Sequence, residues 1–257
     1  MNFKDKFIAL ITILEKELIR ILRIWPQTLI PPMITTSLYF VIFGRVLFHN
    51  RQIIVAGESI SYTQYLIPGL IVMSIIINSY SNSSSSLFGC KFQKNIGELL
   101  IAPVPIWIII FGFGLGGVFR GLINGIMIFI TASMFESISV YSWSLSLLMA
   151  LLTAMFFSLI GIINAIYAKT FDDISWFPAF ILTPLVYLGG VFFSVSMLSN
   201  TWQFVVMLNP IYHFVDIFRY YIIGFGESNF LSLTSIVVCN IMLFILTCLI
   251  FQKKMQK

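Results

Sequence analysis

Asn209-Pro210-Ile211-Tyr212-His213-Phe214-Val215-Asp216-Ile217-Phe218-Arg219-Tyr220-Tyr221-Ile222-Ile223-Gly224 opens on Asn-Pro and closes on Gly. Proline at the first helical position and glycine just past the last punctuate a helix, here about four turns long. Crossing a bilayer takes about 20 apolar residues, so this helix is too short to span. His213, Asp216, Arg219 and Tyr220 recur at three- and four-residue spacing on one side. Phe214, Ile217, Phe218 and Tyr221 fill much of the other, the pattern of a helix at an interface or dipping partway into a membrane.

The flanking chain is apolar enough to supply that membrane. Of 257 residues, 59% are hydrophobic and 10% charged, with a mean hydropathy of +0.98. Soluble domains carry roughly 25% charged residues, so the composition is that of an integral membrane protein. The net charge of +5 is therefore read by its distribution around the spans and not as a nucleic-acid surface. Cys90, Cys239 and Cys248 show neither a disulfide framework nor metal-ligand spacing.

Residues 3–22 place Phe7, Leu10, Ile11, Leu14, Leu18, Ile21 and Leu22 at helical spacing, with Lys4, Lys6, Lys16, Arg20 and Arg23 supplying positive charge. This predicts an amphipathic helix on an anionic lipid surface, compatible with one packed on a partner. It lacks the uninterrupted apolar core and cleavage site of a secretory signal. Trp25 and Pro26 mark the turn into the bilayer.

Apolar runs predict spans near 28–48, 65–88, 106–133, 144–168, 177–195 and 230–251. The fold class expected is an all-α membrane protein: one domain over 1–257, with an interfacial helix in 1–25, a six-span core over 28–251, short re-entrant helices between spans five and six, and a tail at 252–257. Eleven of the 15 Lys and Arg then fall on the side of the N-terminus, three (Arg45, Arg51, Arg219) on the other, and Arg120 inside a span. Positive charge stays in the cytoplasm, so both termini are expected there and 209–224 outside.

Several residues invite chemistry. Gly112, Gly114 and Gly117 have the spacing of a dinucleotide loop but lie in an apolar span without a preceding strand. Gly117, Gly121 and Gly125 make better sense as a small-residue stripe for close helix contact. No phosphate-gripping G-x-x-x-x-G-K-[ST] occurs in the sequence. Arg120, costing about 2.5–3.5 kcal/mol or more at mid-span, calls for a partner among Asn124, Asn78, Asn82 and Asn164, as a pathway residue or as a hydrogen-bond hub. The run Ser81–Ser86 either lines a polar path or packs helices. His213 with Asp216 suggests acid–base work or part of a metal site; against it stand the scarcity of partners, His49 being the other histidine, and a simple surface pair of Asp216 with Arg219. Lys91 to Pro105 is polar, then apolar, then closed by prolines, which predicts a short interfacial helix.

That segment, with Gly97, Glu98, Leu99, Leu100, Pro103 and Val104, resembles the cytoplasmic coupling region of ABC-2 type permeases, and Asn209 to Gly224 resembles their C-terminal signature. Gly-Gly-Val-Phe-Arg-Gly at 116–121 resembles the third span of the family's YadH-like branch of inner-membrane permeases. The resemblance implies a permease subunit of an ABC exporter in the bacterial inner membrane, with no ATPase site of its own. It further implies a homodimer with two copies of a separate ATPase chain that holds the ATP and Mg, so this chain needs no cofactor; membrane lipid is its surround. Lys91, Phe92, Lys94, Asn95, Gly97, Glu98, Leu99, Leu100 and Pro103 would transmit force from the ATPase. Asn209, Pro210, His213, Phe214, Asp216, Arg219, Tyr220 and Gly224 would cap the path on the outer side. The rival reading is a membrane-integral enzyme acting on a lipid-linked substrate at the outer face.

Overall fold

The computed structural model describes residues 2–47, 52–55, 58–224 and 230–255. Phe48, His49, Arg51 and Lys257 from the sequence reading lie outside the described residues.

Helix α1 (Phe3–Arg23) starts where the Asp5 carboxylate accepts the Asn2 N–H at 3.0 Å. A break at Ile24 leads into α2 (Trp25–Tyr39), with Pro26 in its first turn, and α2 runs on as a π-helix over Phe40–Leu47. An antiparallel hairpin follows, β1 (Gln52–Val55) against β2 (Glu58–Ser61), with Gln52 opposite Ser61. This hairpin was not expected from the apolar periodicity; otherwise the described chain is helical.

The next helix, α3 (Tyr62–Phe92), is capped by the Ser61 hydroxyl on the Thr63 N–H at 3.2 Å and forms the axis of the bundle. Around it stand α5 (Ile106–Ser133), α6 (Trp143–Tyr167) and α10 (Pro210–Ile223), while α11 (Phe230–Met255) lies at the periphery against α5 and α6. Four helices among the described residues are long and apolar enough to cross a membrane: Tyr62–Phe92, Ile106–Ser133, Trp143–Tyr167 and Leu231–Lys254. The apolar window of α3 is 89% buried inside the protein and that of α11 only 17%, so α3 is sheathed by helices and α11 turns its Ile241, Met242 and Leu249 outward.

Small residues let α3 be surrounded. A Cβ on Gly117 or Gly121 would strike Ser79 and Ser83 of α3, one on Gly125 would meet Ile75, and one on Gly161 of α6 would meet the Tyr80 carbonyl. In lipid, helices associate through such close approach and through hydroxyl hydrogen bonds. Ser83 bonds the Ser158 hydroxyl and the Phe113 carbonyl (3.3 Å), and Ser158 bonds the Gly114 carbonyl (2.8 Å). Ser83 thus packs helices, with Ser158 closing the joint.

The fifth apolar segment departs from its expected bounds of 177–195. Its helix begins earlier, as α7 (Phe171–Phe177), continues as a π-turn over Pro178–Leu182, and ends as α8 (Thr183–Tyr187). Gly190, at φ 74°, turns the chain away in a conformation glycine adopts at no steric cost. A short 3-10 turn and α9 (Asn200–Met207) then lead to α10.

The bundle has two distinct ends. One carries α1, α7 and the short helix α4 (Ile96–Ile101); there the Lys254 ammonium sits 5.5 Å over the Tyr167 ring and Phe251 is buried in a core shared with Leu87 and Phe113. Both ends of the described chain therefore lie at this α1 end. The opposite, hairpin end carries β1–β2, α9 and α10.

Candidate coupling and gating sites

At the hairpin end, the expected signature is assembled as a clamp on residues 189–193. The Asn209 side chain caps α10 by accepting the Ile211 N–H (3.0 Å) and donates to the Leu185 carbonyl (2.6 Å), tying α10 to α8. Pro210 takes the first helical position, and Gly224 closes α10 at φ 84°, its N–H on the Tyr220 carbonyl at 2.8 Å. Phe214 is buried between Phe156 and Phe157 of α6, at 5.1 and 5.7 Å. Tyr220 meets Tyr141 edge-on, and the Tyr141 and Ser142 N–H groups bond the last carbonyls of α10.

Arg219 is not the surface residue expected from its spacing. It is 4% exposed, with Nη2 donating to the Gly190 carbonyl at 2.7 Å and its guanidinium carbon 3.9 Å over the Tyr65 ring. A guanidinium can stack and donate at once because it is planar. Beside it, the Tyr65 and Tyr62 hydroxyls donate to the carbonyls of Phe193 (2.9 Å) and Phe192 (2.7 Å). Asp216 is half-buried one turn earlier, within electrostatic reach of Tyr65 and Tyr212. His213 points outward with Nε2 2.9 Å from the Met207 carbonyl. Among the described residues, no three His, Cys, Asp or Glu side chains gather as a metal site would need.

At the α1 end, α4 forms between the turn at Gln93–Asn95 and the extended Ala102, as the proline-closed segment predicts. Lys94 ends α3 in a left-handed conformation (φ 62°), and Asn95 bonds Gln93. Leu99 and Leu100 pack inward with Ile96, while Phe92, Glu98, Ile101 and Pro103 face outward and Gly97 has open space before it. Phe92 lies 5.0 Å from Phe171 of α7, whose Asp172 and Trp176 are also exposed. Lys91 differs from its neighbours: its ammonium caps the C-terminus of α6, bonded to the carbonyls of Ile166 (2.9 Å) and Ala168 (2.6 Å), where a cation is favoured by the helix dipole.

The asparagines expected to partner Arg120 do not bond its guanidinium. The Asn124 amide reaches back to the Arg120 backbone carbonyl (3.0 Å), Asn78 to the Ser74 carbonyl (3.0 Å), and Asn164 to the Tyr80 hydroxyl and Ile174 carbonyl. Side-chain amides in helices bond the carbonyl one turn back when nothing nearer competes. Asn82 is taken by residues absent from the expected set.

Those residues are Glu17 and Arg20 of α1. Glu17 is 1% exposed and accepts from Arg20 Nη2 (2.9 Å), Asn82 Nδ2 (3.3 Å) and the Ser86 hydroxyl. Arg20 also donates to Asn82 Oδ1 (2.8 Å) and the Asn82 carbonyl (3.2 Å). A Cβ on Gly112 would strike Ile13, and one on Gly116 would lie 2.8 Å from Glu17 Cγ. The amphipathic helix of the sequence reading is therefore keyed onto α3 and α5 along Ile13, Glu17 and Ile21, of which only Ile21 belongs to the expected apolar face. The signal in the sequence was Gly112 and Gly116, four apart, facing Ile13 and Glu17, also four apart.

Set against known families, residues 8–223 match the ABC-2 type transporter family. The chain belongs to the ABC-2 type transporter family. The match begins inside α1 and ends on the last residue of α10, so it spans both sites described above apart from the closing Gly224. Over 242 residues the chain is 47% identical to the inner membrane transport permease YadH of Escherichia coli K12, covering 94% of this chain and 93% of that one. It is 25% identical over 199 residues to nodulation protein J of Bradyrhizobium diazoefficiens, covering 76% and 72%, and 24% identical over 177 residues to that of Rhizobium leguminosarum bv. viciae, covering 67% of each.

Proposed function

We propose that this ABC-2 family member is the permease subunit of an exporter in the bacterial inner membrane, working as a homodimer driven by two copies of a separate ATPase chain that binds ATP and Mg. The observation that carries the reading is the family match across both sites in a sequence without a phosphate-gripping loop. In this reading α2 and the α7–α8 helix join the four long helices to make six spans. The α1 end faces the cytoplasm, where Lys and Arg concentrate, and the hairpin end faces out.

The exposed residues of α4 and of the first turn of α7, which lies outside the bilayer, suit an ATPase contact. Because α1 is keyed to α3 and α5 through Glu17 and Arg20, a push on α1 moves span two as a rigid body, as a two-state rocking transporter requires. On the outer side, Arg219 and Tyr65 hold residues 190–193 closed until that motion pulls them apart.

The test is co-purification in mild detergent followed by reconstitution. A nucleotide-binding chain is expected to accompany the permease, and Glu98→Arg is expected to uncouple hydrolysis from transport. An isolated chain that turns over a lipid-linked substrate without nucleotide, and loses that turnover in His213→Ala, would establish the enzyme reading instead.

A further inference from the structure

Arg120 is the half-buried charge that the packing leaves unanswered. No described residue accepts a hydrogen bond from its guanidinium, and its Nε is buried, as is the unpartnered Nε of Arg20. Arg20 is the charged neighbour whose field Arg120 feels. Position explains the pairing: Gly112, Gly116 and Arg120 follow at four-residue steps on α5, Ile13 and Glu17 of α1 sit on the two glycines, and the next turn of α1 carries Arg20. Glu17, the carboxylate on the preceding turn of α1, is engaged by Arg20. In a low-dielectric surround an unbalanced cation of this kind draws an anion.

One turn along α3 from Asn82, at Asn78, a cavity begins. Ser86, Asn82, Asn78 and Ser74 follow at four-residue steps along α3; the first two bind Glu17 and Arg20, and the last two line a space of about 250 Å³ between α2 and α3. Its remaining walls are mostly apolar, with Pro31, Pro32, Leu70 and Met73 among them. Cations at one end and an apolar space beyond Asn78 match a molecule with both characters.

We propose that the seam between α1, α2, α3 and α5 binds an anionic amphiphile, a phosphate-bearing headgroup at Arg20 and Arg120 and an acyl chain in the cavity lined by Asn78 and Ser74. The headgroup belongs either to a bilayer lipid held as a ligand or to exported cargo; only the second rests on the transport reading above.

Native mass spectrometry of the purified chain, with phosphatidylglycerol and with phosphatidylcholine of the same acyl chains, tests the site without any ATPase. Phosphatidylglycerol is expected to be retained at least tenfold more strongly, with that preference lost in Arg120→Gln and largely kept in Arg120→Lys. Ser74→Leu, which fills the cavity, is expected to weaken long-chain phosphatidylglycerol and to spare a dihexanoyl form, and it reports on the site even if Arg120→Gln fails to fold. Equal retention of the two lipids, an unchanged preference in Arg120→Gln, or displacement by inorganic phosphate with the same affinity would overturn the proposal. With an ATPase partner and ATP in vesicles, movement of labelled phosphatidylglycerol across the bilayer identifies cargo and stationary binding identifies a ligand; either upholds the site. Failure to recruit an ATPase would sink the transport reading and leave the binding result standing.

Discussion

Glu17 shows how a single charge decides where a helix sits. A carboxylate in an apolar bundle is tolerated only when paired and hydrogen-bonded, and Glu17 has Arg20, Asn82 and Ser86 as donors. Glu17→Ala leaves the buried amide of Asn82 and part of Arg20 unsatisfied, and is expected to cost about 1–3 kcal/mol, read as a lower thermal unfolding midpoint in detergent. Glu17→Gln, which keeps an acceptor, is expected to lose less. At the other end, Arg219→Lys keeps the charge and forfeits the planar stack on Tyr65, worth about 0.5–2 kcal/mol. The expected readout is faster thiol labelling of a Ser194→Cys reporter, since Ser194 follows the carbonyls that Arg219, Tyr65 and Tyr62 hold; labelling unchanged by the substitution would dismiss the clamp. Arg219 reads in the sequence as one of the polar groups on a helix face and Glu17 gives no signal of its own, because spacing records which side of a helix a residue is on and not what is packed against it.

At the scale of elements, helix contacts are set by glycine and serine, and helix ends by caps. Gly116→Val would place a branched side chain where Glu17 Cγ and Oε2 now lie, so α1 is expected to lift from α5; accelerated proteolysis within residues 3–23, with α3 to α6 still protected, is the observation to seek. The start of α7 is a capping box: the Asp173 carboxylate accepts the N–H groups of Lys169 (2.8 Å) and Thr170 (3.0 Å), and Thr170 accepts from Asp173 N. These backbone bonds hold the Asp173 carboxyl below its usual range. A depressed folded-state value means the cap is fully present above the unfolded carboxylate value, about 4, and is lost as pH falls through the folded one. The stability difference between the wild type and Asp173→Asn is therefore expected to be constant near neutral pH and to close below about pH 4, measured by thermal unfolding across that range. Helix existence was legible from apolar runs and from Pro and Gly, as the proline-closed α4 and the Asn-Pro to Gly bounds of α10 show. The hairpin at 52–61 and the early start at Phe171 were not, because a four-residue strand has too few alternations to register, and a π-turn between Pro178 and Pro184 blurs the period of 3.6 residues.

For the whole molecule, the layout puts α1 and the last turn of α11 at one end. Single cysteines at Lys4 and Lys254 in a background without native cysteines are expected to label from the cytoplasmic side alone, and one at Trp202 of α9 from the outer side alone; opposite sidedness of Lys4 and Lys254 would break the six-span reading. The sequence by itself determined that the chain is a helical membrane protein, that short helices interrupt it at 91–105 and 209–224, and that its likeness is to ABC-2 type permeases, since these rest on composition, local periodicity and turn chemistry. Only the tertiary structure decided that Lys91 is spent on the end of α6, that Arg219 turns inward onto Tyr65, that Glu17 and Asn82 together take up Arg20, and that no asparagine answers the guanidinium of Arg120. The reason is physical: a side chain in an apolar bundle takes the nearest partner that three-dimensional packing delivers, and those partners, such as Glu17 and Asn82 or Arg219 and Gly190, are far apart along the chain.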